Sequence, residues 1–194
     1  FWQNYMVKKV RSCIFVSGSG SNLKTLIKRS QNKTFPIKID LVISNNLKSK
    51  GLVIAKKNNI PIKYFSTKNK KKFERNCLFE IKKRKIKFLC LAGFMKILSS
   101  GFIKSFNNPI INIHPSLLPK YKGLNTHKRV LINNEKFSGC TIHFVNSKLD
   151  SGKIILQKKI KIKKNETESS LKYKILKQEH ILYSKAIISL FKKK

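Results

Sequence analysis

The sequence predicts an α/β fold, an open, mostly parallel twisted sheet flanked by helices. Short β-branched and apolar runs alternate with longer segments of helical apolar spacing, which is the pattern of strands joined by helices. The run Phe88 to Leu91 is apolar on both faces, as a central parallel strand requires. Glycine-rich or polar loops follow several runs, at the strand ends where such sheets bind ligands.

The first half of the chain supplies four predicted strands with helices between them. The run V-R-S-C-I-F-V-S forms the first strand, and a glycine-containing turn leads into a helix. The segment from Lys68 to Lys83 has a partial apolar face that includes Phe73, Leu78 and Phe79. The predicted elements are strands at 10–17, 37–44, 62–65 and 87–91, and helices from about 22 to 30, at 49–58 and at 68–83.

The second half contains three further strands and a long final helix. Asn107-Asn108-Pro109 turns the chain into a central strand, and Pro115 ends that strand because proline cannot donate to a ladder. Leu171, Ile175 and Leu182 contribute to an apolar stripe on the final helix. The predicted elements are strands at 110–113, 138–145 and 154–162, and helices at 99–106, 126–133 and 167–191.

The composition fits one domain over residues 1–194 with an extreme positive charge. Of 44 basic residues only five are arginine, and the net charge is +36. So much charge attracts polyanions, and one interpretation is a nucleic-acid-binding surface. The alternative is a compositional drift toward lysine, isoleucine and asparagine. The lysines are spread along the whole chain without a localised basic stripe, so we favour the drift and expect no specific nucleic-acid partner.

Cysteine and histidine spacing indicates neither a metal site nor a disulfide framework. The four cysteines show no C-x-x-C pair, and no two histidines have ligand spacing. Reduced thiols in apolar runs fit a cytoplasmic location. No apolar run approaches the ~18 residues of a membrane span, so we expect no membrane partner. Residues 1–6 precede the first pattern, and an N-terminal extension, a processing remnant and a mis-set start are the alternative interpretations.

Three polar segments are candidates for chemistry. Asn112 and His114 lie on the same side of a strand where it ends, where an amide and an imidazole can hold an oxyanion and move a proton. A turn asparagine and a structurally bonded histidine are the alternative. The loop from Gly18 to Asn22 suits a phosphate at a helix N-terminus, or simply a tight turn, since the third glycine of the dinucleotide fingerprint is missing. Asp150 lies in L-D-S-G, which is also ordinary turn chemistry.

The run N-I-H-P-S-L-L-P-K-Y-K-G, at residues 112–123, resembles the signature of the folate-dependent formyltransferases. The resemblance extends from Val10 to Phe191, with separate motifs in the right order. These motifs are V-S-G-S-G-S-N-L at 16–23, L-A-G-F-M-K-I-L at 91–98, I-H-F-V at 142–145, L-D-S-G-K-I-I-L-Q at 149–157 and Q-E-H at 178–180.

The resemblance implies a Rossmann-like formyltransferase fold and a reaction between small molecules. The formyl group of 10-formyltetrahydrofolate would pass to the amine of glycinamide ribonucleotide in de novo purine biosynthesis, without a metal, in a monomer or homodimer. Asn112 and His114 would stabilise the tetrahedral intermediate, and Asp150 would stabilise the imidazolium form of His114 and fix an ordered water. Residues 10–105 would form the phosphate-binding half and 106–194 the catalytic and folate-binding half.

The resemblance also implies two sets of binding residues. The ribonucleotide set comprises Gly18, Ser19, Gly20, Ser21, Asn22 and Glu179. The folate set comprises Lys70, Leu91, Met95, Lys96, Ile97, Leu98 and Asn112. Lys70 and Lys96 stand where relatives often carry arginine, and the apolar members of the second set suit a protein core equally well. His143 is interpreted as a structural residue, and His127 and His180 are interpreted as structural residues or as residues at the rim.

Methionyl-tRNA formyltransferase and formyltetrahydrofolate deformylase share the core and are the nearest alternatives. The first carries a further RNA-contacting domain and the second a regulatory domain, and we expect neither in 194 residues. The alternative from another class is a basic nucleic-acid-binding α/β module, which would need aromatic base platforms that the sequence does not display.

Overall fold

One sheet of seven strands runs through the structure, a computed structural model that describes residues 8–191. The predicted extension at residues 1–6 lies outside this range. The strands are β1 (Val10–Val16), β2 (Ile37–Ser44), β3 (Ile62–Tyr64), β4 (Phe88–Leu91), β5 (Ile110–His114), β6 (Phe137–Phe144) and β7 (Ile154–Lys161). The helices are α1 (Ser21–Ser30), α2 (Lys50–Lys57), α3 (Lys70–Lys83), α4 (Ser100–Phe106), α5 (Thr126–Ile132) and α6 (Glu168–Phe191).

The strand order is β3-β2-β1-β4-β5-β6-β7, and the pairs among β1 to β5 are parallel. The β6 strand pairs antiparallel with both β5 and β7. The prediction of an open, mostly parallel sheet is therefore confirmed. The strand order reverses between β1 and β4, because the chain continues from β1 to β2 on one side and from β4 to β5 on the other. Open α/β sheets bind ligands at the carboxyl ends of the strands beside such a reversal.

The two faces of the sheet bury separate apolar clusters. Alternation along β1 sends Ile14 and Val16 to the face covered by α1, α2, α5 and α6, and Cys13 and Phe15 to the face covered by α3 and α4. Because helices cover both faces, the central strands are buried almost throughout, as their unbroken apolar runs predict.

Element boundaries differ from the predictions by one or two residues, and side-chain capping explains where α2, α3 and α4 start. The side chain of Asn69 accepts a hydrogen bond from the Lys72 amide, so α3 begins at Lys70 rather than at 68. The assignment of Phe79 to the apolar face of this helix was wrong, because its side chain is 65% exposed. Phe73 is buried as predicted, and together with Cys77 and Ile81 it forms a buried stripe that recurs every four residues.

Helix α6 connects the two halves of the sheet at the carboxyl ends of its strands. Tyr183 is buried, and its hydroxyl donates to the carbonyl oxygen of Leu91 at 2.9 Å and contacts that of Ile111 at 3.3 Å. One turn earlier, Glu179 accepts a hydrogen bond from Asn22 at the start of α1. One helix therefore holds the ends of β4 and β5 and the glycine loop. The division into functional halves at residue 105 stays a prediction.

Among residues 8–191, no helix combines the length and the apolar content that crossing a membrane would take.

Candidate active site

The end of β5 brings the two polar residues of the central motif to one rim of the sheet. In the antiparallel pairing with β6, Asn112 lies opposite His143, and His114 lies opposite Thr141. Side chains at directly opposed positions share a face of the sheet and approach closely. His114 is 5% exposed, whereas Asn112 is half-buried.

Asp150 lies beside His114. Its Oδ2 is 3.3 Å from His114 Nδ1 and accepts a hydrogen bond from the Gly123 amide at 2.9 Å. The backbone of Asp150 has a φ of +42°, a left-handed conformation that aspartate tolerates better than most residues. A Cβ at Gly152 would collide with the carbonyl oxygen of Phe144, so glycine allows this loop to pack against the end of β6.

The structure adds His143, which the sequence pattern indicated to be a structural residue, to this group. Its Nε2 is 3.2 Å from Asn112 Nδ2 and 3.7 Å from Asp150 Oδ1, and its Nδ1 is 2.8 Å from the carbonyl oxygen of Phe144. The ring is indeed satisfied by hydrogen bonds, but its partners are predicted catalytic residues. The four side chains of Asn112, His114, His143 and Asp150 are called the catalytic group below.

The protonation of His143 follows from its surroundings. Burial lowers its pKa, and the hydrogen bond to Phe144 and the Asp150 carboxylate oppose this shift only in part. The ring is therefore neutral near pH 7. A carbonyl oxygen only accepts, so the single ring proton is on Nδ1, and Nε2 is left as an acceptor for the Asn112 amide.

Both ring nitrogens of His114 face hydrogen-bond acceptors. While Nδ1 faces Asp150, Nε2 is 2.9 Å from the carbonyl oxygen of Tyr121. The segment that carries this carbonyl is fastened to the antiparallel strands. Thr141 Oγ1 donates to Ser116 O at 2.6 Å, and Gln157 Nε2 donates to Leu118 O at 2.8 Å. The segment that contacts His114 is thus itself held in place by hydrogen bonds from β6 and β7.

The predicted phosphate loop reaches the same edge of the sheet through β1. Gly20 has a φ of +70°, and a Cβ there would lie 2.6 Å from Gly51 Cα, so this position needs glycine. As the N-cap of α1, Gly20 provides no side chain to the amides of the first turn, and no acidic residue lies in that turn. An uncapped helix start with exposed Ser19 beside it suits an anion, while Gly18 and Ser21 are also partly accessible.

Asn22 and Glu179 form a buried pair behind this loop. Asn22 Nδ2 donates to Glu179 Oε2 at 2.7 Å across 157 residues of sequence. Burial raises the pKa of Glu179, and the hydrogen bond from Asn22 acts in the opposite direction. The structure thus brings two predicted ribonucleotide-binding residues into direct contact with each other.

A hollow of about 300 Å³ lies beside the segment that follows β4. Five of the predicted folate-binding residues line it, together with Thr67, Phe73 and Glu74; the five are Lys70, Met95, Lys96, Ile97 and Leu98. Leu91 and Asn112 do not line this hollow. They pair with each other on the neighbouring strands β4 and β5, so that the strand preceding the segment at the hollow adjoins the strand that carries Asn112 and His114.

The apolar residues of that segment divide between the core and the hollow. Phe94 and Leu98 are buried, whereas Met95 is 66% exposed and Ile97 is 52% exposed. Ser17 at the end of β1 fixes this segment, because its hydroxyl accepts from the Met95 amide at 2.9 Å and donates to Asn45 Oδ1 at 2.6 Å. The loops after three strands are therefore joined at one point.

The described residues contain no group of three or more His, Cys, Asp or Glu side chains that could hold a metal ion. The fold and the rim together define an α/β protein with a preassembled acid–base and hydrogen-bonding group at the carboxyl ends of its strands. Residues 10–187 match the formyl transferase family model. The chain belongs to this family, and the resemblance drawn from its motifs is confirmed at that level.

Named relatives and solved structures agree with this assignment. The chain is 37% identical over 183 residues to the human trifunctional purine biosynthetic protein adenosine-3, covering 93% of the chain but 18% of that protein. It is 38% identical to a phosphoribosylglycinamide formyltransferase from Haemophilus influenzae, covering 91% of the chain and 84% of that protein. A phosphoribosylglycinamide formyltransferase structure from Brucella melitensis superposes with a TM-score of 0.90 at 36% identity, covering 96% and 98% of the two chains.

Proposed function

We propose that this protein is a phosphoribosylglycinamide formyltransferase that moves the formyl group of 10-formyltetrahydrofolate to the amine of glycinamide ribonucleotide. The observation that carries the proposal is the convergence of Asn112, His114 and Asp150 beside an accessible rim. Family membership and the names of the relatives support the choice of reaction and substrates.

The reaction begins when the amine nitrogen attacks the formyl carbon. The π electrons of the carbonyl move to its oxygen, which becomes an oxyanion in a tetrahedral intermediate. Asn112 donates to this oxygen from its amide, at a position already fixed before the charge develops. Removing one such donor typically costs on the order of 10²–10³ in turnover, so this residue supplies a large part of the catalysis.

His114 moves the protons that the transfer requires. The attacking amine loses a proton, the bond between the formyl carbon and folate N10 breaks, and N10 gains a proton. Asp150 holds Nδ1 of the ring and stabilises the imidazolium form. Because Nε2 faces the Tyr121 carbonyl, His114 reaches a substrate atom only when that contact is exchanged for the substrate.

The two ends of the crevice divide the substrates between them. The uncapped first turn of α1 and the loop at 18–22 bind the ribonucleotide phosphate, and Glu179 supports this loop from behind through its hydrogen bond with Asn22. The hollow beside Met95 and Ile97 accepts the pterin and the adjoining part of the folate. Lys70 and Lys96 at its mouth meet the folate carboxylates as point charges rather than as bidentate forks.

An acceptor assay tests this proposal directly. The purified protein is incubated with 10-formyltetrahydrofolate and, in separate reactions, glycinamide ribonucleotide, charged initiator tRNA or water alone. We expect formyl transfer to the ribonucleotide, followed by absorbance and by mass spectrometry of the product. Transfer to tRNA, or hydrolysis without an acceptor, would contradict the proposal and favour one of the two related activities.

A further inference from the structure

We propose that His143 is a positioning residue that fixes the orientation of the Asn112 amide, so that the side chain is preset to receive the oxyanion. The inference deepens the proposed function and rests on it. It assigns His143 no contact with either substrate. The ring acts through the single hydrogen bond between its Nε2 and Asn112 Nδ2, 3.2 Å long.

The register of the sheet makes this contact obligatory. Asn112 and His143 are directly opposed in the antiparallel pair of β5 and β6, and both backbones lie in the buried part of the sheet. His143 is 3% exposed, so its ring has little freedom to turn away from Asn112. Strand pairing alone therefore places the imidazole of His143 next to the amide of Asn112.

The direction of the hydrogen bond decides what His143 does. Its Nδ1 donates to the carbonyl oxygen of Phe144 at 2.8 Å, so the neutral ring offers Nε2 only as an acceptor. An acceptor selects the NH₂ end of the Asn112 amide over the carbonyl end. The second N–H of that NH₂ group then points away from His143, where it is available to a substrate oxygen.

A protonated ring would lose this selectivity. With a proton on both nitrogens, Nε2 becomes a donor and is drawn to Asp150 Oδ1, which lies 3.7 Å away. The titratable groups that act on the ring are Asp150, which favours its protonation, and His114, which opposes it. Burial keeps the pKa of His143 below its ordinary value of 6.5, so the acceptor form prevails at neutral pH.

A double-mutant cycle tests whether His143 acts through Asn112. The variants are Asn112→Ala, His143→Leu and the double substitution, with kcat measured for formyl transfer to glycinamide ribonucleotide. Leucine fills much of the space but offers no acceptor. We expect His143→Leu to lower kcat by roughly 10- to 100-fold in the wild-type background, as misplacement of a catalytic contact does. In the Asn112→Ala background we expect a further loss of less than about threefold, since coupled residues are not additive.

Conservative replacement provides a second readout. The substitution His143→Gln places an amide oxygen near the position of Nε2 but introduces a side chain that cannot take up a proton. We expect this variant to retain kcat within about fivefold of wild type at pH 7.5 and to lose less activity than wild type between pH 7 and pH 5.5. Effects of this size are expected when two residues are coupled through about one hydrogen bond. Thermal unfolding of each variant shows whether it is folded. His180→Leu serves as a control, because within the described part of the chain that histidine has no hydrogen bond to the catalytic group.

The outcomes distinguish a failure of the proposed function from a failure of the role assigned to His143. If the wild-type protein transfers no formyl group to the ribonucleotide, the proposed function fails. If it does, but His143→Leu lowers kcat by the same factor with and without Asn112, the residues act independently and this inference alone is overturned. A loss in the glutamine variant equal to that in the leucine variant would likewise contradict an acceptor role.

Discussion

The catalytic group and the hollow beside Met95 and Ile97 lie along the same edge of the sheet but are built in opposite ways. In the catalytic group, His114 and His143 are buried, and each of the four side chains has a polar partner already in place. The hollow is lined by long side chains that reach into solvent, including Lys70, Met95 and Lys96.

The difference indicates where the binding free energy and the chemistry reside. Groups that stabilise a developing charge act best when no reorganisation is needed during the reaction, and burial with hydrogen bonds provides this. A surface that accepts a large flexible ligand gains from adaptable side chains such as methionine. We therefore expect substitutions in the first region to change kcat and substitutions in the second to change KM.

The largest effect is expected for Asp150→Ala. The substitution removes the acceptor for His114 Nδ1 and for the Gly123 amide, so both the ring and the 115–125 segment lose their anchor. We expect kcat to fall by about 10²-fold or more, a loss of the size seen for preorganised electrostatic contacts. Steady-state kinetics with both substrates varied measures it, and a variant with normal kcat would show that Asp150 is only a turn residue.

A smaller effect is expected for Glu179→Gln, at the ribonucleotide end. The substitution keeps the shape but replaces one oxygen of a carboxyl that accepts a hydrogen bond from Asn22. We expect KM for glycinamide ribonucleotide to rise by roughly tenfold, because a buried polar group left without its hydrogen-bond partner costs about 1–3 kcal/mol. KM for the folate should stay unchanged. Glu168→Gln, an exposed position on the same helix, is the matched control.

Lysine substitutions at the hollow should modestly raise KM for the folate and leave the other kinetic constants unchanged. Lys70→Ala and Lys96→Ala each remove an exposed charge, and exposed ion pairs contribute about 0–1 kcal/mol. We expect KM for 10-formyltetrahydrofolate to rise by about two- to fivefold, and less at high salt, with kcat unchanged. Lys57→Ala, an exposed lysine outside the hollow, controls for the general loss of positive charge. A fall in kcat would contradict the contrast between the two regions.

The smallest effect concerns stability rather than activity. Burial lowers the pKa of His143 in the folded protein below its ordinary value of 6.5, so the unfolded chain takes up this proton first as the pH falls. The contribution of His143 to stability is therefore complete above pH 6.5 and declines below it, by at most about 1.4 kcal/mol per pH unit. Chemical unfolding at pH 7.5 and 5.5 should show a smaller decline for His143→Gln than for wild type. An equal decline would show that a group other than His143 causes the loss of stability.

Local sequence signals predicted the strands and helices well because β1 and β4 contain apolar runs and because Ser49, Asn69 and Ser99 cap the starts of α2, α3 and α4. They failed for Phe79, where burial depended on which side of α3 meets the sheet. The placement of Asp150 followed from a motif match rather than from physics.

The position of His143 opposite Asn112 follows from strand pairing and not from any single motif. An antiparallel partner for the strand ending at His114 places some residue of the 138–145 run opposite Asn112, and the register identifies His143. Register depends on how the connecting segment folds, and here Thr141 and Gln157 fasten that segment through tertiary hydrogen bonds. Such contacts are not encoded in the spacing of either strand.

The most direct test of the central claim is the single-turnover rate of formyl transfer in Asn112→Ala, measured with both substrates already bound. If the catalytic group stabilises the oxyanion, the bound substrates should react about 10²- to 10³-fold more slowly than in the wild-type protein. The thermal unfolding temperature should remain close to that of wild type. A chemical step as fast as in wild type would contradict the account, whatever the effect of the substitution on KM.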